Sequence, residues 1–512
     1  MRLEHVLAGH AQRRPERTAL VCGERRVSYG ELHQCIRRAA AGLAKLGVAP
    51  GDRVLVYLPN GVEFVQFEYA TFTCGAICVP VNTRLSLAEI EHIATDSQPR
   101  AMVFDAASRA LLAGLLAKLP GCARVVLGEP VAGETSVAAL LAVEASSLPD
   151  VPAESDDALI IYTSGTTGRA KGALITHANQ LVTHCFVNAL EWDIGAEDRY
   201  LVTTPLAHRT GLGRLTNALT LGGTVVVMEK FDPERAIELI EREGVTALGM
   251  VPTVARMLLP IIERAPRRCR TLRRLIVTGE AFPVELKRKL IELLPDAQIC
   301  SFFAQTEAGA VTSLGHAEQF THAASVGRPT PGVEVKLVDE VGRAVKTGEI
   351  GELLVRAGVP GRFTTMRAYY NRPEDTAATI RDGWVATGDM ARQDADGYLY
   401  IVDRKKDMVI SGGFNIYTKE VEQALAAHPA VAESAVIGVP DAIYGEAVAA
   451  FVELLPGQRA TPEALIEHCR PLIAGYKKPK HVFLVESLPR NALGKTLKTD
   501  LRRLAAERLE KA

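Results

Sequence analysis

Tyr162-Thr163-Ser164-Gly165-Thr166-Thr167-Gly168-Arg169-Ala170-Lys171-Gly172 follows directly on the apolar run Ala158-Leu159-Ile160-Ile161. An apolar, β-branched run that gives way to hydroxyls and glycines reads as a buried strand feeding a loop. Such a loop can wrap a polyphosphate, because glycines let backbone amides turn inward while Ser and Thr hydroxyls add donors. Lys171 supplies a point charge for the outer phosphates. The spacing is not that of a Walker loop, which needs Ser or Thr after Gly-Lys, whereas Gly172 follows Lys171. A plain Ser/Thr/Gly turn has the same composition, so the stretch by itself supports nucleotide binding and nothing finer.

Outward from this loop, residues 27 to 230 alternate helical patterns with short β-branched runs, such as Arg53-Val54-Leu55-Val56-Tyr57-Leu58 before the segment from Gly61 to Cys78. That alternation predicts an α/β fold with largely parallel sheets. A second α/β region is expected from Phe231 to about Leu314, with a helix over Ala236 to Arg242 and a strand at Leu275-Ile276-Val277-Thr278 that stops at Gly279. From Gly327 to Val402 short strands separated by Gly, Pro and Asp predict a β-rich subdomain. Arg404-Lys405-Lys406-Asp407 then breaks the apolar pattern, and helix (Lys419 to Ala427) and strand (Ala435 to Val439) alternate again. The expected fold class is therefore α/β: a large N-terminal domain, 1–403, of two α/β sheet subdomains plus a β-rich subdomain, and a small α+β C-terminal domain, 404–512. The charged amphipathic helix from Leu501 to Lys511 reads as a solvated face and not as a membrane element.

A chain of 512 residues with 47% hydrophobic content exceeds one ordinary core. Its 59 Lys and Arg against 60 Asp and Glu give no electrostatic reason for nucleic acid or an anionic membrane as partner, and a small molecule fits better. The N-terminus lacks the apolar run of a signal peptide, and no later stretch reaches a membrane span, so a soluble, cytoplasmic protein is expected. The nine cysteines show no C-x-x-C spacing and read as reduced thiols packed in apolar surroundings. Cys74 and Cys78 stand at helical spacing, but no His or Cys cluster adjoins them to make a zinc site.

Five motifs in fixed order change the weight of the opening loop. After it come Pro205-Leu206-Ala207-His208-Arg209-Thr210-Gly211, Ser301-Phe302-Phe303-Ala304-Gln305-Thr306-Glu307, Gly383-Trp384-Val385-Ala386-Thr387-Gly388-Asp389, the stretch from Asp403 to Tyr417, and Leu488-Pro489-Arg490-Asn491-Ala492-Leu493-Gly494-Lys495-Thr496-Leu497-Lys498. Together with the loop they resemble the adenylate-forming enzymes, a superfamily that includes acyl-CoA synthetases, peptide-synthetase adenylation domains and firefly luciferase. The resemblance spans nearly the whole chain. Ala170 stands where the family has proline, Phe303 where it has tyrosine, Ala304 where it has glycine, and Asp403 where glycine is commoner.

The resemblance implies a role for each matching position. Thr163, Ser164, Gly165, Thr166, Thr167, Gly168 and Lys171 cradle the phosphates of ATP, and Gly279, Glu280 and Ala281 with Phe302, Phe303 and Ala304 border adenine and the acyl pocket. His208 lines the carboxylate pocket. Thr306 contacts the α-phosphate, and Glu307 holds Mg²⁺, a hard cation that prefers oxygen ligands. Asp389 and Arg404 bind the ribose, Lys406 is the hinge of a mobile C-terminal domain, Gly412 and Gly413 form a turn beside the pantetheine of coenzyme A, and Lys495 reaches the reacting groups.

By the same resemblance the reaction has two steps. A carboxylate attacks the α-phosphate of ATP to give an acyl-adenylate and pyrophosphate, with Lys171, Lys495 and Mg²⁺ offsetting the charge. The C-terminal domain then turns about Lys406 and a thiol takes the acyl group. Coenzyme A is the expected thiol, because Gly438 to Glu446 and Gly475 to Lys480 resemble acyl-CoA synthetases, and no carrier domain is expected in the short stretch after Lys495. A stand-alone enzyme that loads a carrier protein is the enzyme alternative, and a catalytically silent nucleotide-binding relative the non-enzyme one. Intact Lys171, Glu307, Asp389 and Lys495 argue against the latter. A pocket narrowed by Ala304 suits a small aromatic or short to medium aliphatic acid, and Arg209 is a candidate reader of a second carboxylate. A homodimer is compatible with the sequence and not decided by it.

Overall fold

The computed structural model describes residues 1–145, 148, 150–151, 156–163, 169–279, 282–490 and 496–509. By compactness the chain divides into one unit of residues 1–335 and 354–387 and a second of residues 336–353 and 388–512.

The first unit is built on two sheets. In the eight-stranded sheet the order is Ala368–Tyr369, Lys171–Thr176, Asp157–Thr163, Ile77–Pro80, Arg53–Tyr57, Ala101–Asp105, Ala123–Leu127, Glu134–Ser136. Its body is parallel, as the uninterrupted Val/Ile/Leu runs require when both faces are covered. The exceptions lie at one edge: the hairpin on which the phosphate loop is strung, where Thr163 stands opposite Lys171 in an antiparallel pair, and Ala368–Tyr369, which runs antiparallel to Lys171–Thr176. The nine-stranded sheet runs Arg328–Pro329, Gly309–Leu314, Gln298–Gln305, Arg274–Val277, Ala247–Met250, Arg199–Val202, Thr224–Val227, Thr18–Cys22, Arg25–Ser28.

Two expectations are corrected here. The α/β regions are not consecutive: Thr18–Cys22, Arg199–Val202 and Thr224–Val227 belong to the sheet of the later region, pairing in parallel across long sequence separations that local periodicity does not encode. The segment from Gly327 to Val402 is also not wholly a separate β-rich body. Ala368–Tyr369 pairs with Lys171–Thr176 and so places this segment against the phosphate hairpin. Arg328–Pro329 joins the nine-stranded sheet beside Gly309–Leu314, and the other strands of the segment form a small sheet in the order Glu334–Val338, Ile350–Arg356, Trp384–Gln393, Ile380–Arg381, with Leu399–Arg404 also paired to Trp384–Gln393.

Cys74 and Cys78 are not on one helical turn. The helix Val62–Thr73 ends at Cys74, Gly75 takes a left-handed φ of 69°, and Cys78 lies in the next strand. Both thiols are fully buried, and among the described residues no group of His, Cys, Asp or Glu is arranged to hold a metal ion. No helix among them is long and apolar enough to cross a membrane.

The helix Val62–Thr73 carries Glu68 into the core at 1% exposure, with Oε2 lacking a partner among the described residues. Burial raises its pKa from 4.5 to about 8. A carboxyl with a raised folded pKa binds more protons in the native than in the unfolded state between those values, so stability falls as pH rises from about 4.5 to about 8. Glu68→Gln removes the ionisation, and its Tm is expected to exceed the parent's by several degrees at pH 8 with little gain at pH 5, readable by calorimetry at the two pH values.

In the second unit, Phe414–Ile416, Val409–Ser411, Gly445–Leu454 and Val431–Asp441 form an antiparallel sheet, to which His481–Val485 adds in parallel. The helix Thr418–Ala426 packs on one face with Val421 and Leu425 buried. The terminal helix Lys498–Leu509 packs on the sheet through Leu501 and Ala505, leaving its charged face outward as its amphipathic pattern predicts.

Candidate active site

The phosphate hairpin brings four distant stretches together in the first unit. Thr163 Oγ1 donates to Glu307 Oε1 at 3.0 Å, and Tyr369 OH donates to the same oxygen at 3.0 Å. Lys171 Nζ lies 5.4 Å from the centre of the Tyr369 ring and is ion-paired with Asp375. Burial and the neighbouring Glu307 carboxylate push the Tyr369 phenol well above its ordinary pKa, so it remains a donor across the neutral range. Among the described residues no Lys or Arg forms an ion pair with Glu307. A carboxylate held by two neutral hydroxyls keeps its charge for an outside cation, and one carboxylate completed by substrate phosphates and water is a donor set that fits Mg²⁺.

Local sequence accounts for how these groups are placed. Gln298–Gln305 runs antiparallel to Gly309–Leu314 with a register shift between Phe303 and Ala304, which re-aims the chain just before Thr306 and Glu307. The Glu307 carbonyl accepts from Met366 N–H at 2.8 Å, and Gln305 Nε2 donates to the Thr387 carbonyl at 3.1 Å, so the turn is fixed by both neighbours. At the base of the hairpin, Tyr162 OH donates to Asp96 at 2.7 Å, and His92 Nε2 lies 2.8 Å from the Ala170 carbonyl. The latter contact steadies the position where the family's proline is missing.

His208 caps the helix Arg209–Leu221, its Nδ1 accepting from Thr210 N–H at 3.3 Å. Gly211 permits this turn, since a Cβ there would stand 2.2 Å from the Pro205 carbonyl oxygen. Arg209 Nη1 donates to Gln180 Oε1 at 2.7 Å. The Phe302 ring packs on Trp192, with centroids 4.9 Å apart, under the guanidinium of Arg214. Gly279 follows its strand with φ at 97°, a conformation that favours glycine. Ser164, Gly165, Thr166, Thr167, Gly168, Glu280, Ala281 and Lys495 lie outside the described residues.

The remaining predicted residues belong to the second unit. Asp389 is 3% exposed and stands opposite Arg404 across two antiparallel strands, with Arg404 Nε 2.9 Å from its Oδ1. Lys406 is exposed in the turn that follows. Asp403, which departs from the family pattern, is 1% exposed and accepts from Thr418 N–H and, at 3.2 Å, from Thr418 Oγ1. It thus places a carboxylate at the N-terminus of the helix Thr418–Ala426, where the unpaired amides and helix dipole favour it. Gly412 and Gly413 have φ of 58° and 83°. Within this unit the demand for glycine at Gly413 is conformational, because a Cβ there would meet nothing within 4 Å, whereas one on Gly412 would also stand 3.1 Å from Tyr444 Cδ1.

Residues 7–370 match the family model for the AMP-binding enzyme, and residues 420–495 match that for the AMP-binding enzyme C-terminal domain. The chain belongs to the AMP-binding enzyme family. A feruloyl-CoA synthase of Amycolatopsis sp is 36% identical over 96% of this chain and 97% of its own length, and the long-chain-fatty-acid–CoA ligase FadD13 of Mycobacterium tuberculosis is 34% identical over 93% of each. The crystal structure of ATP-bound MatB from Rhodopseudomonas palustris superposes with a TM-score of 0.87 at 31% identity, covering 98% of this chain and 99% of that one. This AMP-binding enzyme is accordingly an ATP-dependent, AMP-forming ligase of the acyl-CoA synthetase type.

Tyr369 and Asp375 join this candidate site through Glu307 and Lys171, and no motif pointed to either. Tyr369 sits in Ala368-Tyr369-Tyr370-Asn371, which carries no spacing that ties it to a loop some 200 residues earlier in the chain. Only the pairing of Ala368–Tyr369 with the phosphate hairpin reveals it.

Proposed function

We propose that this chain couples a carboxylic acid to coenzyme A through an acyl-adenylate, with the acid a small aromatic or a short to medium aliphatic one. The observation that supports this most is the convergence of Thr163, Glu307, Tyr369 and Lys171 at the mouth of the phosphate hairpin. It sets a carboxylate free to hold a phosphate-bound cation beside a lysine that can take an outer phosphate once Asp375 releases it. Mg²⁺ bound through Glu307 would draw charge from the phosphates as pyrophosphate leaves. Thr163 and Tyr369 orient the carboxylate, and Lys171 supplies a second positive charge. His208 bounds the acid pocket, while Asp389 and Arg404 serve the ribose. The chemistry needs no protein nucleophile, since the acid's own carboxylate attacks the α-phosphate.

The C-terminal domain, taken to begin at residue 404, turns about Lys406 between the half-reactions. It presents Lys495 for the first and the Gly412-Gly413 turn for the second. A cytoplasmic setting fits the use of ATP and coenzyme A and the nine free thiols. The named relatives act on acyl groups as different as feruloyl and long-chain fatty acyl. Relatedness therefore leaves the acid open, and the added methyl of Ala304 is the argument for a short pocket.

Pyrophosphate release across a panel of aryl, aliphatic and dicarboxylic acids, with and without coenzyme A, tests the reading. Turnover is expected to require coenzyme A for its second half. Steady turnover indifferent to coenzyme A would overturn the acceptor assignment.

A further inference from the structure

The lysine on which the outer phosphates of ATP depend already has a partner. Lys171 Nζ is ion-paired with Asp375 beside the Tyr369 ring, its side chain mostly buried, while about a third of the Asp375 side chain stays exposed. The two partners are held unequally. Asp375 belongs to a turn that is strapped to the hairpin on both sides. Tyr369 stands opposite Ala173 in an antiparallel pair, and Tyr370 N–H donates to the Gly172 carbonyl at 2.8 Å. Arg372 Nη2 donates at 3.0 Å to Asp96, the same carboxylate that accepts from Tyr162 OH. Thr376 closes the turn on itself, its Oγ1 accepting from Tyr369 N–H at 2.9 Å and donating to the Arg372 carbonyl at 2.8 Å. The backbone around Asp375 is thereby fixed, whereas Lys171 carries its ammonium on a flexible four-carbon stem.

Two carboxylates share the neighbourhood of this one ammonium. Burial, then Glu307 and more weakly Asp375, raise the Tyr369 phenol, which feels both. Arg372, the next cation along the turn, is paired with Asp96. An outer phosphate that takes Lys171 must therefore displace a carboxylate, and binding gains only the difference between two ion pairs. Asp375, released but held in place, then stands as an uncompensated anion near the phosphate and disfavours its staying. That penalty falls on any ligand that carries the outer phosphates, ATP and pyrophosphate alike. AMP, which has only the α-phosphate, escapes it.

We propose that Asp375 is a positioning residue that competes with the outer phosphates for Lys171: it holds the lysine until ATP arrives, yields it, and takes it back as pyrophosphate leaves. Asp375 so weakens ATP binding and hastens the departure of pyrophosphate, a change in uniform binding and not in the transition state. This inference rests on the adenylation reading given above.

Calorimetric binding of ATP and of AMP to the full-length enzyme with Mg²⁺, together with inhibition of adenylation by added pyrophosphate, tests it. Asp375→Asn is expected to tighten ATP about three- to tenfold, the scale of one partly exposed ion pair. The inhibition constant for pyrophosphate is expected to fall by a similar factor, with AMP binding unchanged. In a Lys171→Ala background, Asp375→Asn is expected to bring no tightening, because the effect runs through the lysine. Asp375→Ser removes the same charge and gives the comparison should the Asn variant not fold. Weaker ATP binding with a raised Mg²⁺ requirement in Asp375→Asn overturns the proposal, since Asp375 would then ligate the cation. So does an equal change for ATP and AMP, the mark of a structural role, or a tightening that persists without Lys171. Absence of both ATP binding and pyrophosphate release with every acid overturns the adenylation reading and this inference with it, whereas ATP binding that Asp375→Asn leaves unaltered overturns only the inference.

Discussion

Lys495→Ala is expected to slow acyl-adenylate formation by roughly 10²-fold or more, the scale on which one preorganised charge acts in a transition state, while largely sparing thioester formation from a supplied acyl-adenylate. The asymmetry follows from where charge moves. In the first half-reaction a carboxylate closes on an already anionic phosphate, so each added cation lowers the barrier. In the second, a thiol meets a mixed anhydride and AMP departs, with far less charge to offset at the point where Lys495 would stand. Lys495 follows Gly494 in Leu488-Pro489-Arg490-Asn491-Ala492-Leu493-Gly494, and beyond it Leu497 N–H donates to the Pro489 carbonyl at 2.8 Å. Rapid-quench measurement of each half-reaction reads the two effects separately. Equal loss in both would sink the assignment of Lys495 to the first step.

How much could be read from the sequence depended on whether a residue's meaning is local. The phosphate strand was legible because Ala158 to Tyr162 is apolar and Thr163 opens a glycine-rich turn, and both facts lie within ten residues. The partition of strands between the two sheets was not. Thr18–Cys22 pairs with Thr224–Val227, two buried runs some 200 residues apart, and no window of sequence contains that pairing. The same division holds in the candidate site. Glu307 and Asp389 stand out in the sequence because their motifs surround them, whereas Tyr369 bonds to Glu307 from a strand whose only peculiarity is its partner. Asp375 was hidden for a related reason, since one acid in Pro373–Thr379 reads as an ordinary first-turn charge on a short helix. Asp403 shows the converse. It reads as a departure from a pattern, and the fold explains it by the helix N-terminus it caps.

Glu307→Gln is expected to lower the rate of adenylation by roughly 10²–10³-fold, comparable to removing one preorganised electrostatic group from a site of this kind, and to raise the Mg²⁺ concentration needed for half-maximal rate. The amide is nearly isosteric with the carboxylate, and its oxygen can still accept from Thr163 and Tyr369, which now stand 3.0 Å away. A purely structural role for Glu307 would therefore survive the change with a modest shift in stability and no change in metal demand. A role as cation ligand would not, because the neutral amide is a poor ligand for a hard divalent ion. The neighbouring hydroxyl offers a graded comparison. Tyr369→Phe keeps the ring beneath Lys171 and removes only one donor to Glu307, so its loss is expected to be smaller, about tenfold or less on the scale of a single hydrogen bond. Steady-state adenylation as a function of Mg²⁺ for the three proteins orders them as parent, Tyr369→Phe, Glu307→Gln. An unchanged Mg²⁺ requirement in Glu307→Gln would remove the metal from Glu307 and leave the Thr163, Glu307 and Tyr369 cluster as a structural clasp on the hairpin.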